Sequence, residues 1–495
     1  MTSRRARDLI PPAAVAIAAA LLLPASAGAA RPLRTAVVDA GPFTVPSFMP
    51  AAFADVRATG ATAIRFYSIW RRVAPATKPA GFDAANPADP AYDWSIWDQQ
   101  VRQAKANGLE PILSIEGAPD WAEGPGEGLA GTVRPSPREL GLFARAAARR
   151  YSGSFQGLPR VRYWQVWNEP NYFRHLGPQY DTPLSKPVRP SSRLLSPDIY
   201  RALVNSFADA VHGVHADNLV IAGGLAPFGN EHAGTHVART LPFMRRLLCM
   251  TSRNRPQPGC RRRIKFDVWT HHPYTAGGPT HHNIAREDVS LGDLPKMGRL
   301  LRAAVRAKHV VSRRHVDWWA TEFSWDTNPP DKNAVPMRLH ERWVAHALYQ
   351  MWRNGISLVT WFQIRDSQTS IPGEFVFQSG LYFGCAGGPE CWRPKPSLTA
   401  FRFPFVAFTS KKGVLVWGRT PFGRRGRVAI ERRGSHWRSV ATLRSDRFGI
   451  FTKTLRTSKR GFMRARLLPA SGRPAELSVP FSLRRVPDRA VNPFG

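Results

Sequence analysis

Cysteine is nearly absent from this chain: there are four in 495 residues, none spaced as a CxxC pair. That excludes a structural zinc site of the cysteine-rich kind. Acidic residues are scarce too, with 35 Asp and Glu against 70 Lys and Arg and a formal net charge of +35 at pH 7. Such a surface attracts polyanions, an acidic cell-wall glycan among them. The basic residues are mostly arginine and scattered along the whole chain, and no nucleic-acid-binding motif occurs, so nucleic acid is not the expected partner. Beyond the N-terminal 30 residues no apolar run is long enough to span a bilayer. A 43% hydrophobic fraction and 16 tryptophans exclude disorder.

The one sustained apolar stretch lies at the N-terminus. Arg4, Arg5 and Arg7 precede an apolar run from Ala13 to Leu23, and small residues follow from Ala25 to Ala29. These are the three zones of a secretory signal, expected over residues 1–29, which makes the mature protein a secreted one with no membrane span. Export exposes thiols to oxidation. The cysteines fall in two local pairs, Cys249 with Cys260 and Cys385 with Cys391, which predicts one pinned loop each.

From residue 30 to 405, short β-branched or aromatic runs alternate with stretches of helical periodicity. Eight strands are predicted: Thr35 to Ala40, Ala63 to Trp70, Leu109 to Gly117, Val161 to Glu169, Leu219 to Leu225, Phe266 to Tyr274, Asp317 to Phe323 and Leu358 to Ile364. Between them lie helices such as Pro137 to Tyr151, whose start is marked by Ser136 as cap, a proline in the first turn and Glu139 three residues on. Eight strand–helix repeats predict an α/β fold, a (β/α)8 barrel. From 406 to 495 the texture changes to short runs broken by Gly, Pro and Ser about every ten residues, which predicts a small all-β sandwich.

A (β/α)8 barrel carries its chemistry where the strands end. Two glutamates stand there. Glu169 closes Tyr163-Trp164-Gln165-Val166-Trp167-Asn168-Glu169-Pro170-Asn171, and Glu322 closes Trp318-Trp319-Ala320-Thr321-Glu322-Phe323, on predicted strands four and seven. Those strands face each other across the mouth, where one carboxyl serves as acid and the other as nucleophile. Period-two alternation aims Asn168 and Glu169 oppositely, so both reach the pocket only if the strand bulges or ends there, which Pro170 permits. Around them, Arg65 is placed to keep a carboxylate ionised, and His272 and Tyr274 share one face of strand six. Trp361 on strand eight is a candidate stacking floor. The pairs His271-His272 and His281-His282 match no common metal-ligand spacing, so no metal or cofactor is expected.

Trp167-Asn168-Glu169-Pro170-Asn171 and Ala320-Thr321-Glu322-Phe323 resemble the motifs of glycoside hydrolase clan A, nearest its family 39 and family 5 branches. The resemblance covers most of the barrel. It implies a retaining glycosidase cleaving β-linked oligo- or polysaccharides, with Glu169 as acid/base, Glu322 as nucleophile and Asn168 donating to the sugar 2-hydroxyl. Tyr274 would donate to Glu322, and Arg65, His272 and Trp361 also match clan positions. The third strand departs from family 5, since Ile115-Glu116-Gly117 has no histidine, leaving Glu116 as a sugar-binding acid or a bystander. A transglycosylase would share every residue named. A glycan-binding protein without turnover would share the fold, but intact Glu169 and Glu322 count against it.

Overall fold

The computed structural model describes residues 31–367, 376–469, 474–486 and 489–491. The expected signal at 1–29 lies outside the described residues. Eight parallel strands close a barrel: β1 (Arg34–Val38), β2 (Ala63–Ile69), β3 (Glu110–Glu116), β4 (Tyr163–Val166), β5 (Leu219–Leu225), β6 (Val268–His271), β7 (Asp317–Ala320) and β8 (Leu358–Phe362). They neighbour one another in chain order, and β8 returns to pair with β1.

One helix follows each strand: α1 (Met49–Ala58), α2 (Ser95–Ala106), α3 (Pro137–Arg150), α4 (Ser196–Val214), α5 (Thr240–Leu247), α6 (Leu294–Arg306), α7 (Met337–Asn354) and α8 (Pro396–Arg402). The start of α3 is built as its sequence predicts, with the Ser136 hydroxyl accepting from the Glu139 N–H at 3.3 Å. Gly355 ends α7 in the left-handed conformation, at φ +99°, which glycine adopts without steric cost. Among the described residues no helix is long and apolar enough to cross a membrane.

Alternate residues of each strand point into the barrel. At its lower end Ala36, Ala63, Ile112, Ile221, Val268, Trp319 and Leu358 form a dry plug, small side chains making room for the Trp319 indole. A larger apolar cluster fills the layer between strands and helices and continues into the chain beyond Phe405. One irregularity shapes the mouth. β5 pairs with β6 through a bulge between Gly223 and Leu225, where a Cβ on Gly223 would stand 2.3 Å from the Thr270 carbonyl oxygen.

Strands follow from Phe405 onward: β9 (Phe405–Ser410), β10 (Gly413–Arg419), β11 (Arg427–Arg433), β12 (Trp437–Arg444), β13 (Ile450–Leu455) and β14 (Phe462–Leu467). Antiparallel β9, β10 and β13 make one sheet; β12, β11 and β14 make the other, extended by short segments at Glu476–Leu477 and Phe481–Ser482. This β domain is packed on α7. Trp417 lies against Tyr349 and Trp352 at ring separations of 5.3 and 5.4 Å, and Phe408 against His346 at 4.8 Å. Both cysteine pairs are bonded, Cys249 to Cys260 and Cys385 to Cys391.

Candidate active site

On β2 and β3 the inward positions above the plug are polar. On β2 the inward sequence runs Ala63, Arg65, Tyr67; on β3 it runs Ile112, Ser114, Glu116. Arg65 is fully buried and spends its guanidinium on four partners. It donates from Nε to Gln165 Oε1 at 3.1 Å, from one terminal nitrogen to Glu322 Oε2 at 3.0 Å, and from the other to Ser114 Oγ at 3.0 Å and Asn168 Oδ1 at 2.7 Å. A permanently charged fork so placed fixes Glu322 as a carboxylate and turns the NH2 end of Asn168 away from itself.

The strand carrying the first motif stops earlier than its sequence predicts. β4 ends at Val166, and Trp167 and Glu169 both take left-handed backbone conformations, at φ +65° and +36°. Such angles are rare outside glycine and need anchoring. The anchors are present. The Trp167 N–H donates to the Ile115 carbonyl at 2.8 Å, its indole donates to the His175 carbonyl at 2.6 Å, and the Glu169 N–H donates to the Gly224 carbonyl at 3.0 Å, on the bulge of β5. The turn breaks the alternation, so Asn168 and Glu169 both reach one cavity.

Glu322 lies two residues past the end of β7 and is held on every side. Besides Arg65, the hydroxyls of Tyr67 and Tyr274 donate to its Oε2 and Oε1, each at 2.9 Å. Burial by itself would favour the neutral acid. The nearby His272 and Arg65 and the two phenol bonds outweigh it, leaving the Glu322 pKa below the ordinary carboxylate value. Burial and the Glu322 charge hold both phenols far above the ordinary tyrosine value, so they remain donors.

Glu169 has different neighbours. His272 Nδ1 is 3.0 Å from its Oε1, and His175 Nε2 is 3.8 Å from its Oε2. One oxygen of Glu169, one of Glu322 and a nitrogen of His272 all lie within 4.8 Å of one another. That spacing also suits a cation, but both oxygens of Glu322 are already bonded to Arg65, Tyr67 and Tyr274, and His272 to Glu169. The arrangement is therefore a charge-paired acid couple, able to act as nucleophile and proton donor. It opens to a cavity of about 760 Å³ with walls that include Phe362, Phe377, Tyr172 and Arg72.

Six of the seven residues singled out in the sequence meet here: Arg65, Asn168, Glu169, His272, Tyr274 and Glu322. Arg65 and His272 are fully buried beneath the acids, so they position carboxylates and do not form cavity wall. Trp361 is elsewhere, and its expected place as a stacking floor is corrected by the structure. It faces the helices, against Phe323, His340 and Phe401, and its N–H donates to the Ser379 carbonyl at 2.8 Å. Leu358, on the inward face, fixes the phase of β8, and alternation then turns Phe362 inward and Trp361 outward. Tyr67, Phe362 and His175 were missed. Tyr67 was signalled by its place two residues after Arg65, whereas His175, in a loop, carried no periodic signal.

No family model and no curated protein matches the sequence. Among solved structures the fold is similar to that of a family 39 glycoside hydrolase from the gut symbiont Bacteroides cellulosilyticus WH2, with a TM-score of 0.50 and 15% identity over 86% of this chain and 79% of that one. A GH30 endoxylanase from Clostridium papyrosolvens C71 matches over 86% of this chain and 94% of its own at 12% identity and a TM-score of 0.43.

Proposed function

We propose that the chain is a secreted, retaining O-glycoside hydrolase of the clan A kind, with Glu322 as nucleophile and Glu169 as acid/base. The spacing of the two carboxyls, within 4.8 Å, carries this assignment. At about 5 Å there is no room for a water between sugar and base, so the second carboxylate itself attacks the anomeric carbon; inverting pairs stand about 6.5–9.5 Å apart.

In the first step a Glu322 oxygen bonds to the anomeric carbon as the glycosidic C–O bond breaks, and the Glu169 proton passes to the departing oxygen. The sugar is left esterified to Glu322. Glu169, now a carboxylate, then takes a proton from water while the water oxygen displaces Glu322 from the same carbon. Asn168 presents its NH2 end to the cavity for a sugar hydroxyl, and Phe362 and Phe377 offer apolar faces to the ring. The clan resemblance favours a β-linkage. The charge of +35 favours an anionic wall glycan, and the two disulfides and the signal-like N-terminus favour an oxidising exterior.

A panel of aryl glycosides and polysaccharides identifies the sugar, and NMR of the first product reads its anomeric configuration. Retention is expected. Glu169→Gln should still be loaded by an activated aryl glycoside and accumulate a sugar adduct on Glu322, seen by peptide mass spectrometry. An inverted product, or an adduct on another residue, overturns the assignment.

A further inference from the structure

Glu116 and His175 have no part in the two-glutamate scheme, yet both line its cavity. Glu116 ends β3 and is buried, with its side chain 9% exposed; the His175 side chain is 28% exposed and open to the cavity. His175 Nδ1 is 3.2 Å from Glu116 Oε2, and its other nitrogen faces Glu169 Oε2 at 3.8 Å. The loop that carries it is not loose. The His175 N–H donates to the Tyr172 carbonyl at 2.9 Å, the Tyr172 N–H to the Glu169 carbonyl at 2.8 Å, and the His175 carbonyl accepts from the Trp167 indole. The imidazole is thus fastened to the same turn as the acid/base carboxyl.

The two oxygens of Glu169 consequently meet different histidines. His272 on Oε1 is fully buried and has no route to water, whereas His175 on Oε2 touches the open cavity. Accepting the acid/base role of Glu169 given above, we propose that Glu116 and His175 form a proton relay, in which His175 exchanges protons between Glu169 and solvent and Glu116 keeps it cationic. Each transfer balances. The His175 Nε2 proton passes to a Glu169 oxygen, directly after a small rotation or through one water; His175 recovers a proton from the cavity, and Glu116 stays ionised.

Burial opposes a charged imidazole here. The hydrogen bond and charge of Glu116, helped by the charges of Glu169 and Glu322, outweigh it and raise the His175 pKa above the ordinary histidine value. Other groups facing the pair are Arg65 and Tyr67, whose ionisation couples to the Glu116 charge, Tyr172, whose ring lies 5.8 Å from the imidazole, Arg174 beside it, and His272 on the far oxygen of Glu169. Among the described contacts neither Glu116 nor His175 makes a hydrogen bond or ion pair to Glu322, so the relay bears on the acid/base directly and reaches the nucleophile only through longer-range charge.

The test is the pH profile of kcat/KM on two glycosides of the identified sugar, one with phenol and one with dinitrophenol as leaving group, for wild type, His175→Gln, Glu116→Gln and Glu169→Gln. Removing the cation that faces the acid/base should move the basic limb of the His175→Gln profile on the phenyl glycoside upward by about 1 pH unit. Glu116→Gln should move it the same way by less, and both variants should lose more on the phenyl than on the dinitrophenyl glycoside, since the latter leaving group needs no acid. Glu116→Gln carries the test if His175→Gln fails to fold. Unshifted limbs in both variants overturn the relay, as does a rise in KM alone, which would make the pair a sugar subsite. If Glu169→Gln itself behaves as wild type on both substrates, the acid/base assignment has failed, a result distinct from either.

Discussion

The lower and upper halves of the barrel interior are built on the same strands two residues apart, and they are opposite in kind. Below, Ala63, Ile112 and Trp319 belong to a plug that excludes water; above, Arg65, Ser114 and Thr321 begin a network in which every named polar group has a partner. The plug gains from burying apolar surface and tolerates no charge, whereas the upper half holds Arg65 and Glu322 fully or nearly buried because each neutralises the other. What the difference teaches is that the plug supplies a dry floor. On that floor a charge pair interacts more strongly than it would in water, and Glu322 stays ionised without solvent.

Removing the charge of the upper half should have the largest effect. Glu322→Gln keeps size and hydrogen bonding but loses the attacking carboxylate, so turnover should fall by about 10⁴-fold or more on every leaving group while circular dichroism still shows a folded barrel. A residual rate that depends on leaving group would break the comparison, since it would place the nucleophile elsewhere.

Changes confined to packing should instead appear in stability. Trp319→Ala empties the plug and Trp361→Ala empties the layer behind β8, and each should cost about 3–5 kcal/mol in denaturant unfolding. Trp361→Ala should leave KM within about twofold, because its indole touches helices and not the cavity. Phe362→Ala should do the reverse, raising KM with a smaller loss of stability. A large KM effect at Trp361 would restore it as a sugar platform.

The smallest effect sharpens the electrostatic side. Tyr67→Phe removes one of three donors to Glu322, and kcat/KM should fall by about tenfold. The sign of the pH effect follows from the depressed Glu322 pKa: the active ionised form is present above that pKa and lost as pH falls through it. With a donor gone the pKa rises, so the acid limb should shift upward. An unmoved limb would show that Arg65 alone sets the ionisation.

Most of the barrel was legible because a buried strand or amphipathic helix leaves a periodic trace. All eight predicted strands are in the barrel, and the helix starting at Pro137 was marked by its own capping residues. Strand ends were less legible. The three strands predicted to run to Glu169, Tyr274 and Phe323 stop at Val166, His271 and Ala320, since no local residue pattern marks where the hydrogen-bonded ladder ends. Trp361 was assigned to the wrong face by one residue, because β8 is buried on both sides and the lone Thr360 in an otherwise apolar run marks its phase only weakly.

By itself the sequence determined the eight βα repeats, the change to short strands near residue 405, the two local cysteine pairs and the motifs that carry Glu169 and Glu322. Each of these is a property of nearby residues. Tertiary structure alone decided that two carboxyls 153 positions apart stand within 4.8 Å. It also decided that the bulge of β5 presents the Gly224 carbonyl to Glu169, that Trp361 faces the helices, and that Glu116 from one strand meets His175 from the next loop. Those outcomes depend on how eight twisted strands close on one another, and closure is set by the packing of all of them at once.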